Sequence, residues 1–444
     1  MARFISALAI SALGARLAAA QPAVFVAAQD PRVTVSGRTE LDADGVSRSF
    51  DWEATAFYIN ASAAVWINVS STASGLNRVF TSVLSSGVWY EQSTQWVQPG
   101  EQQLLLVAHN LAGPSIVRCF FDLEPAFNGA SQTGKYTVHG FALAAGGDAG
   151  EPMAAFSRSI EFVGDSISAG YGAYGVGGGC PVMDYTSGNG KTYNRQICEF
   201  FGANCSVVAW SGKGMYENCC DSGETMPSYY LQTRGGNAYV SDWDFSRFLP
   251  DAICINLGVN DFGHDSGPAW EANFSATYAQ FVLNATRRYG RPSMPVFLIQ
   301  GNMNNGEPLH DALAVAAAAI NAAGGNATYL DLRVGPTDGC GNHPGTLGHA
   351  AMFEASKATI ASVMGWRWTL VPGFVPDGND CMPPQHGITL GAAQSLCAAT
   401  PDCRALTFAS NVSAPTGNID TVYLKNVSGV SGADGWFSYV DMSK

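Results

Sequence analysis

Positive charge is sparse in this sequence. Its 444 residues carry 23 Lys and Arg against 36 Asp and Glu, a formal net charge of -13, and nowhere do the cations gather into a cluster. Nucleic acids and anionic membrane surfaces are held by such clusters, so the charge balance argues against both as partners and an uncharged polymer fits better. No Cys-x-x-Cys pair and no His-Glu-x-x-His helix occurs, which leaves zinc without its usual ligand spacing; no metal or other cofactor is expected. Beyond the first twenty residues no apolar run reaches about 18 residues, the length a membrane-spanning helix needs. Charged residues are only 13% of the chain and hydrophobic ones 47%, the composition of a packed globular protein and not of a disordered one.

The residues that are present point first to export. The amino terminus, MARFISALAISALGARLAAAQ, has an early Arg3, an apolar stretch and small residues at Ala18 and Ala20, and reads as a signal peptide over residues 1–20. Asn-x-Ser/Thr acceptors at Asn60, Asn68, Asn204, Asn273, Asn284, Asn326, Asn411 and Asn426 agree with secretion by a eukaryotic cell. Eleven cysteines then imply disulfides, with an odd thiol left over. Cys254, inside the apolar run DAICINLG, is expected to be a buried free thiol; Cys397 and Cys403 are expected to pair.

Three regions come after the leader. Residues 31–145 read as all-β: Phe50, Trp52 and Ala54 alternate with acidic neighbours, and Val65, Ile67 and Val69 repeat the period of two. Many short strands broken by Gly, Ser and Asn clusters predict a β-sandwich of jelly-roll type. Residues 144–156 lose periodicity and form a linker. From 157 to 368 apolar strands (159–163, 205–210, 252–257, 295–299, 327–332) alternate with helical stretches, which predicts an α/β/α domain on a parallel sheet. Phe274, Tyr278, Phe281 and Val282 share one helical face, the alanine-rich run 311–323 ends at Gly324-Gly325, and a last helix at about 346–364 buries Met352, Ile360 and Val363. A Pro/Gly-rich linker at 371–380 leads to a small disulfide-stapled module over 379–444 with strands at 421–425 and 436–440.

The chemistry is organised around SIEFVGDSISAGY, residues 159–171. A strand stops at Gly164-Asp165-Ser166 and a helix begins, which sets Ser166 at the carboxyl edge of a parallel sheet, where ligands bind. Gly-Asp-Ser alone is a common tripeptide. Its weight comes from the blocks at the ends of the later strands: Trp210-Ser211-Gly212-Lys213-Gly214, then Gly258-Val259-Asn260-Asp261, then Asp338-Gly339-Cys340-Gly341-Asn342-His343-Pro344. A serine hydroxyl needs a base within hydrogen-bond reach, and the oxyanion formed on an attacked acyl carbonyl needs donors. His343 supplies the first; glycine N–H groups and the Asn260 amide supply the second. Pro344 keeps His343 out of the helical region. His349, one turn into the last helix, reads as structural; Asp165 braces its turn, and the lesser alternative for Asn260-Asp261 is that they merely cap a helix. Trp210, Tyr171 and Tyr174 either line the cleft or pack in the core.

These ordered blocks resemble the SGNH (GDSL-like) hydrolases, and most closely carbohydrate esterase family 2, whose members place a β-sandwich ahead of this domain. GDS followed by GYGAYG, SGKGMYEN, TMPSYY, WDFSRFLPDAICINLGVNDF and the late His-Pro carry the resemblance, which extends over residues 31–366 and includes SGRTE and FDW of the sandwich. It implies Ser166 as nucleophile, His343 as base, and Ser166 N–H, Gly212 and Asn260 as the oxyanion hole, with Gly214 an alternative to Gly212. One departure stands out: the acidic residue expected two or three positions before the histidine is replaced by Gly341 and Cys340. Either Asp338 reaches the ring from further back, or a backbone carbonyl orients it and the site is a Ser-His dyad. Asn342 also stands where many members carry an aromatic residue. The carboxy-terminal piece is similar to apple/PAN modules, which implies binding of carbohydrate or protein. The sequence therefore reads as a secreted serine esterase that removes O-acetyl groups from xylan or glucomannan. A general acyl esterase or lipase, and a catalytically degenerate carbohydrate-binding protein, are the rivals.

Overall fold

The structure is a computed structural model and describes residues 21–73, 75–85, 88–111, 113–122, 124, 134–236, 242–263, 267–303, 306–433 and 435–441. The signal peptide at 1–20, with Ala18 and Ala20, lies outside the described residues. Among them, no helix is long and apolar enough to cross a membrane. All eight glycosylation acceptors are described and none is buried, five of them being exposed: Asn273, Asn284, Asn326, Asn411 and Asn426.

The chain divides into two compact units. The first runs to Ser85, resumes over Trp89–Ala155 and includes the separate segment Leu231–Trp243. Among the described residues it has eleven strands: β1 Pro22–Ala27, β2 Val33–Ser36, β3 Glu40–Leu41, β4 Arg48–Phe50, β5 Ala56–Ala61, β6 Val65–Ser71, β7 Asn77–Ser85, β8 Val88–Val97, β9 Gly100–Ala108, β10 Ser115–Phe121 and β11 Tyr136–Ala144. One sheet has the order β3-β4-β11-β6-β9 with β1 also on β11, and the other β2-β5-β10-β7-β8. The eight strands β4 to β11 are divided between the sheets, so that β4-β11-β6-β9 faces β5-β10-β7-β8, the jelly-roll arrangement of two interlocked Greek keys. Alternation explains the core: Val65, Ile67 and Val69 all point inward at 0% exposure, and Phe50, Phe121 and Tyr136 pack against one another, Phe121 edge-on to Phe50.

One expectation fails in this unit. Phe50, Trp52 and Ala54 are not alternate residues of one strand, because β4 ends at Phe50 and Ala54 turns the chain at φ 59°. Asp51 is instead turned inward, where its carboxylate accepts the N–H groups of Gly235 and Gly236 at 2.9 and 2.7 Å, and the Trp52 indole donates to Thr233 O at 3.1 Å. Both partners lie on Leu231–Trp243, and that is why a segment far away in sequence belongs to this unit.

The second unit holds a five-stranded sheet of order β13-β12-β14-β15-β16, from β12 Ser159–Gly164, β13 Asn204–Ala209, β14 Ala252–Asn256, β15 Pro295–Gln300 and β16 Asn326–Asp331. Every pairing is parallel. Strands covered on both faces read as unbroken apolar runs, which is the pattern of AICIN in β14. Cys254 sits within it as a buried free thiol, with its pKa pushed far up by desolvation. Helix Pro268–Arg288 buries Phe274, Tyr278, Phe281 and Val282. Helix Thr346–Met364 buries Met352 and Ile360, but Val363, in its last turn beyond the packed positions Ile360 and Ala361, is 37% exposed.

A second sheet of the unit, antiparallel with order β17-β21-β19-β20-β18, is formed by β17 Trp368–Pro372, β18 Gln385–Thr389, β19 Ala405–Ala409, β20 Asn418–Lys425 and β21 Trp436–Asp441. Helix Leu390–Ala399 covers it, and Cys397–Cys403 closes the turn after that helix. The Pro/Gly-rich stretch read as linker is therefore partly sheet. β17 pairs with β21, Phe374 bridges Ser431 and Asp380 bridges Lys425, because the prolines there fall at strand ends and turns.

Candidate active site

The sheet order sets the geometry. In a 2-1-3-4-5 arrangement the chain leaves its first and third strands in opposite directions, and the crevice between them opens at their carboxyl ends. Ser166 comes directly after β12 and Asn260 after β14, one on each side of that crevice. Asp165 caps the four-residue helix Ser166–Ala169, its Oδ1 accepting from Ile167 N–H at 3.0 Å, and Gly170 at φ 90° ends it. Gly164 makes the sharp turn possible, since a Cβ there would lie 2.2 Å from Ser168 Oγ. Ser166 is thereby held at 5% exposure with its N–H at the start of a helix and without a protein partner among the described residues.

His343 arrives from the loop after β16. Its Nε2 lies 2.8 Å from Ser166 Oγ and its Nδ1 3.0 Å from the Gly341 carbonyl. With Nδ1–H donating to that carbonyl, Nε2 is the free base facing the hydroxyl. Two successive left-handed residues, Gly341 at φ 64° and Asn342 at φ 56°, curl the chain so that the carbonyl meets the ring of the residue two positions on. Asp338 makes no bond to His343; its Oδ1 is buried without a hydrogen bond, and its backbone carbonyl accepts from Gly177. Burial lowers the His343 pKa, with the Gly341 hydrogen bond opposing it in part. The Tyr171 ring packs on the imidazole at 4.8 Å. His349 is fully buried, accepts from Tyr193 N–H at 3.3 Å and is pushed down to about 3, consistent with a structural part.

The donors are also in place. Gly212, at φ 83°, has no protein acceptor for its N–H among the described residues, whereas Gly214 N–H is bonded to Asn218 Oδ1 at 3.0 Å. The geometry thus favours Gly212 of the two glycines as the free donor. Asn260 uses one amide hydrogen on Lys213 O at 2.8 Å and keeps the other. Asp261 does more than close a turn: its carboxylate accepts the N–H groups of Met215, Tyr216 and Glu217 at 2.9, 2.6 and 2.9 Å and so fastens the Gly212 loop to the Asn260 loop. Desolvation raises its pKa against those three bonds. Trp210 packs on Tyr229 at 4.8 Å beside Lys213, which pairs with Asp221.

Two disulfides bound this constellation, and neither was foreseen. Cys180–Cys340 ties the segment after Tyr171 to the His343 loop, assisted by Cys340 N–H donating to Gly172 O and Asn342 N–H to Gly178 O. Cys219–Cys220 joins neighbours on the Gly212 loop, with Cys219 N–H donating to Gly212 O at 3.1 Å. The only hint was the odd placement of Cys340 where an acid was expected. As for metals, among the described residues one group, Glu307, His310 and Asp311, brings ligand atoms within 4.8 Å of one another; Arg333 pairs with Glu307 and Tyr329 with His310.

Residues 162–351 match the GDSL-like Lipase/Acylhydrolase family. This part of the chain is a GDSL-like hydrolase domain. Over 217 residues the chain is 27% identical to a cellulase/esterase CelE of Acetivibrio thermocellus, covering 47% of this chain and 26% of that protein. Over 214 residues it is 25% identical to an acetylxylan esterase/glucomannan deacetylase of Cellvibrio japonicus, covering 47% of this chain and 58% of that one. This chain thus spans about a quarter of the first relative and rather more than half of the second. Beyond the GDSL-like domain, a carbohydrate esterase family 2 enzyme plus carbohydrate binding domain from Corynascus thermopiles (Myceliophthora fergusii) superposes with a TM-score of 0.63 at 25% identity, over 75% of this chain and all of that one. The GDSL-like hydrolase domain is structurally close to the family 2 carbohydrate esterases.

Proposed function

We propose that the chain is a secreted carboxylic ester hydrolase that removes O-acetyl groups from a polysaccharide such as acetylated xylan or glucomannan. The observation that carries this is the 2.8 Å contact of Ser166 Oγ with His343 Nε2 between two loops that offer unpaired N–H donors. Ser166 Oγ attacks the acetyl carbonyl carbon as its proton passes to Nε2. The oxyanion is received by the N–H groups of Ser166 and Gly212 and by the free hydrogen of the Asn260 amide. The tetrahedral adduct collapses when the Nε2 proton moves to the sugar oxygen, which leaves as a hydroxyl, and an acetyl-serine remains. Water then repeats the sequence with His343 as base, releasing acetate. The Gly341 carbonyl stabilises the imidazolium that forms twice per turnover, so the relay is a Ser-His dyad. The names of the two sugar-acting relatives, and the low count of cations in the chain, support a neutral acetylated polymer as the substrate.

The test is acetate release from acetylated xylan and glucomannan by the secreted protein. Ser166→Ala and His343→Ala should each lower kcat by at least about 10³, since members of such a relay act as a unit. A folded wild-type protein that releases no acetate from either polymer overturns the reading.

A further inference from the structure

The carboxy-terminal sheet carries a cavity of about 320 Å³, lined by Phe374, Val375, Asp377, Thr407, Tyr423, Lys425 and Trp436. Its walls are aromatic on three sides: Trp436 lies 5.8 Å from Phe374 and 6.2 Å from Tyr423, ring centre to ring centre. Those rings are not sealed in the core, since all three are only partly buried. Its floor is closed and satisfied, because Thr407, at 1% exposure, donates to Phe437 O and accepts from Ser438 Oγ. Lys425, also 1% exposed, has Asp380 at 2.9 Å and the Pro376 carbonyl at 3.4 Å, so its charge is neutralised inside the protein. Three polar groups of the lining residues have no hydrogen-bond partner among the described residues: the exposed Asp377 carboxylate, the Tyr423 hydroxyl and the Trp436 indole N–H.

Such a combination selects a ligand chemistry. Ligand pockets run from about 300 to 1,000 Å³, and this one, at the lower end, suits a ligand of one or two sugar-sized rings. Aromatic faces favour C–H groups held on one side of a flat ring. An acceptor and two donors left unpaired on the lining residues favour alternating hydroxyls. An ammonium already paired with a carboxylate attracts a sulfate or phosphate only weakly, and the exposed carboxylate repels them. We infer that this cavity is a binding site for a neutral pyranose of a glycan chain, separate from the Ser166 site, that holds the protein on its polymer. The inference does not require the esterase reading; it concerns attachment and not cleavage.

Isothermal titration of cellohexaose and xylohexaose into the full-length Ser166→Ala protein tests it, with a fully sulfated oligosaccharide as the anionic control. Binding of a neutral hexaose that is weakened at least tenfold by Trp436→Ala and by Asp377→Asn, with no binding of the control, is the expected result. Asp377 is exposed, so its substitution keeps the test meaningful if Trp436→Ala fails to fold. Hydrolysis of a small soluble acetate ester by the same two substitutions, made with Ser166 intact, should match the unaltered protein, which keeps the fate of the two sites distinguishable. Binding left intact in both variants, tighter binding of the sulfated control, or no neutral binding at all overturns the inference.

Discussion

Asp338 and the Gly341 carbonyl are rival means of orienting His343, and Asp338→Asn separates them. Where a buried carboxylate holds the catalytic histidine, its amide replacement costs about 10⁴ in kcat, because the ring takes the wrong tautomer. Here Nδ1 lies 3.0 Å from the Gly341 carbonyl, and no bond joins Asp338 to the ring. The substitution is nearly isosteric and removes nothing from His343, so the loss in kcat/KM should stay below about tenfold, or about 1.4 kcal/mol. A pH profile gives a second readout. Burial lowers the His343 pKa below its ordinary 6.5. The neutral imidazole is the active form, so activity is full above the lowered pKa and falls away as the pH drops through it. The acid limb should have its midpoint below 6.5 and should not move in Asp338→Asn. The assay is hydrolysis of 4-nitrophenyl acetate from about pH 4 to 9, with circular dichroism to establish folding. A loss of about 10³ or more in a folded variant, with the limb displaced, would refute the dyad.

Two further outcomes concern the disulfide at the His343 loop and the buried carboxylate of the jelly roll. Cys180 and Cys340 close a loop across a sequence separation of 160, for which chain entropy alone gives stabilisation of about 5 kcal/mol. Replacing both by serine should lower the melting temperature and, because Cys340 stands three residues before His343, reduce kcat more than it alters KM; an unchanged kcat contradicts the clamp. Asp51 titrates with folding, as burial raises its pKa from 3.8 to about 6 despite two amide hydrogen bonds. The folded protein therefore binds the extra proton between those values, and stability is lost as the pH rises from about 4 to about 6, by up to about 3 kcal/mol at 1.36 kcal/mol per unit. Asp51→Asn should gain in melting temperature relative to the unaltered protein over that interval; parallel curves would count against the buried charge.

The parallel sheet was legible because strands covered on both faces are written as apolar runs, and each run fell within a residue or so of its strand. The candidates Ser166, Gly212 and Asn260 stood out for a related reason, each lying just after such a run, whereas His343, far along the loop after the last strand, was carried by the family resemblance. Which of the two offered means orients His343 was left open, since a carbonyl is present at every residue and only the consecutive left-handed turns of Gly341 and Asn342 aim this one. Cysteine spacing likewise carries no record of a partner 160 positions away. Asp51 and Trp52 looked like strand residues because their partners, Gly235, Gly236 and Thr233, are close only after folding. β17 was hidden by its prolines, which mark linkers and sheet ends alike.

The jelly roll is not a contiguous stretch of chain. Leu231–Trp243 completes it, and supplies the acceptor for the Trp52 indole and the donors for Asp51. Recombination that cut at residue 155 would deliver a sandwich with two buried polar groups orphaned, and a recipient hydrolase carrying a segment fitted to the wrong neighbour. The two parts are therefore inherited together or exchanged with difficulty, and relatives of this protein should co-vary at Asp51, Trp52 and the loop at 233–236 as if they were one site.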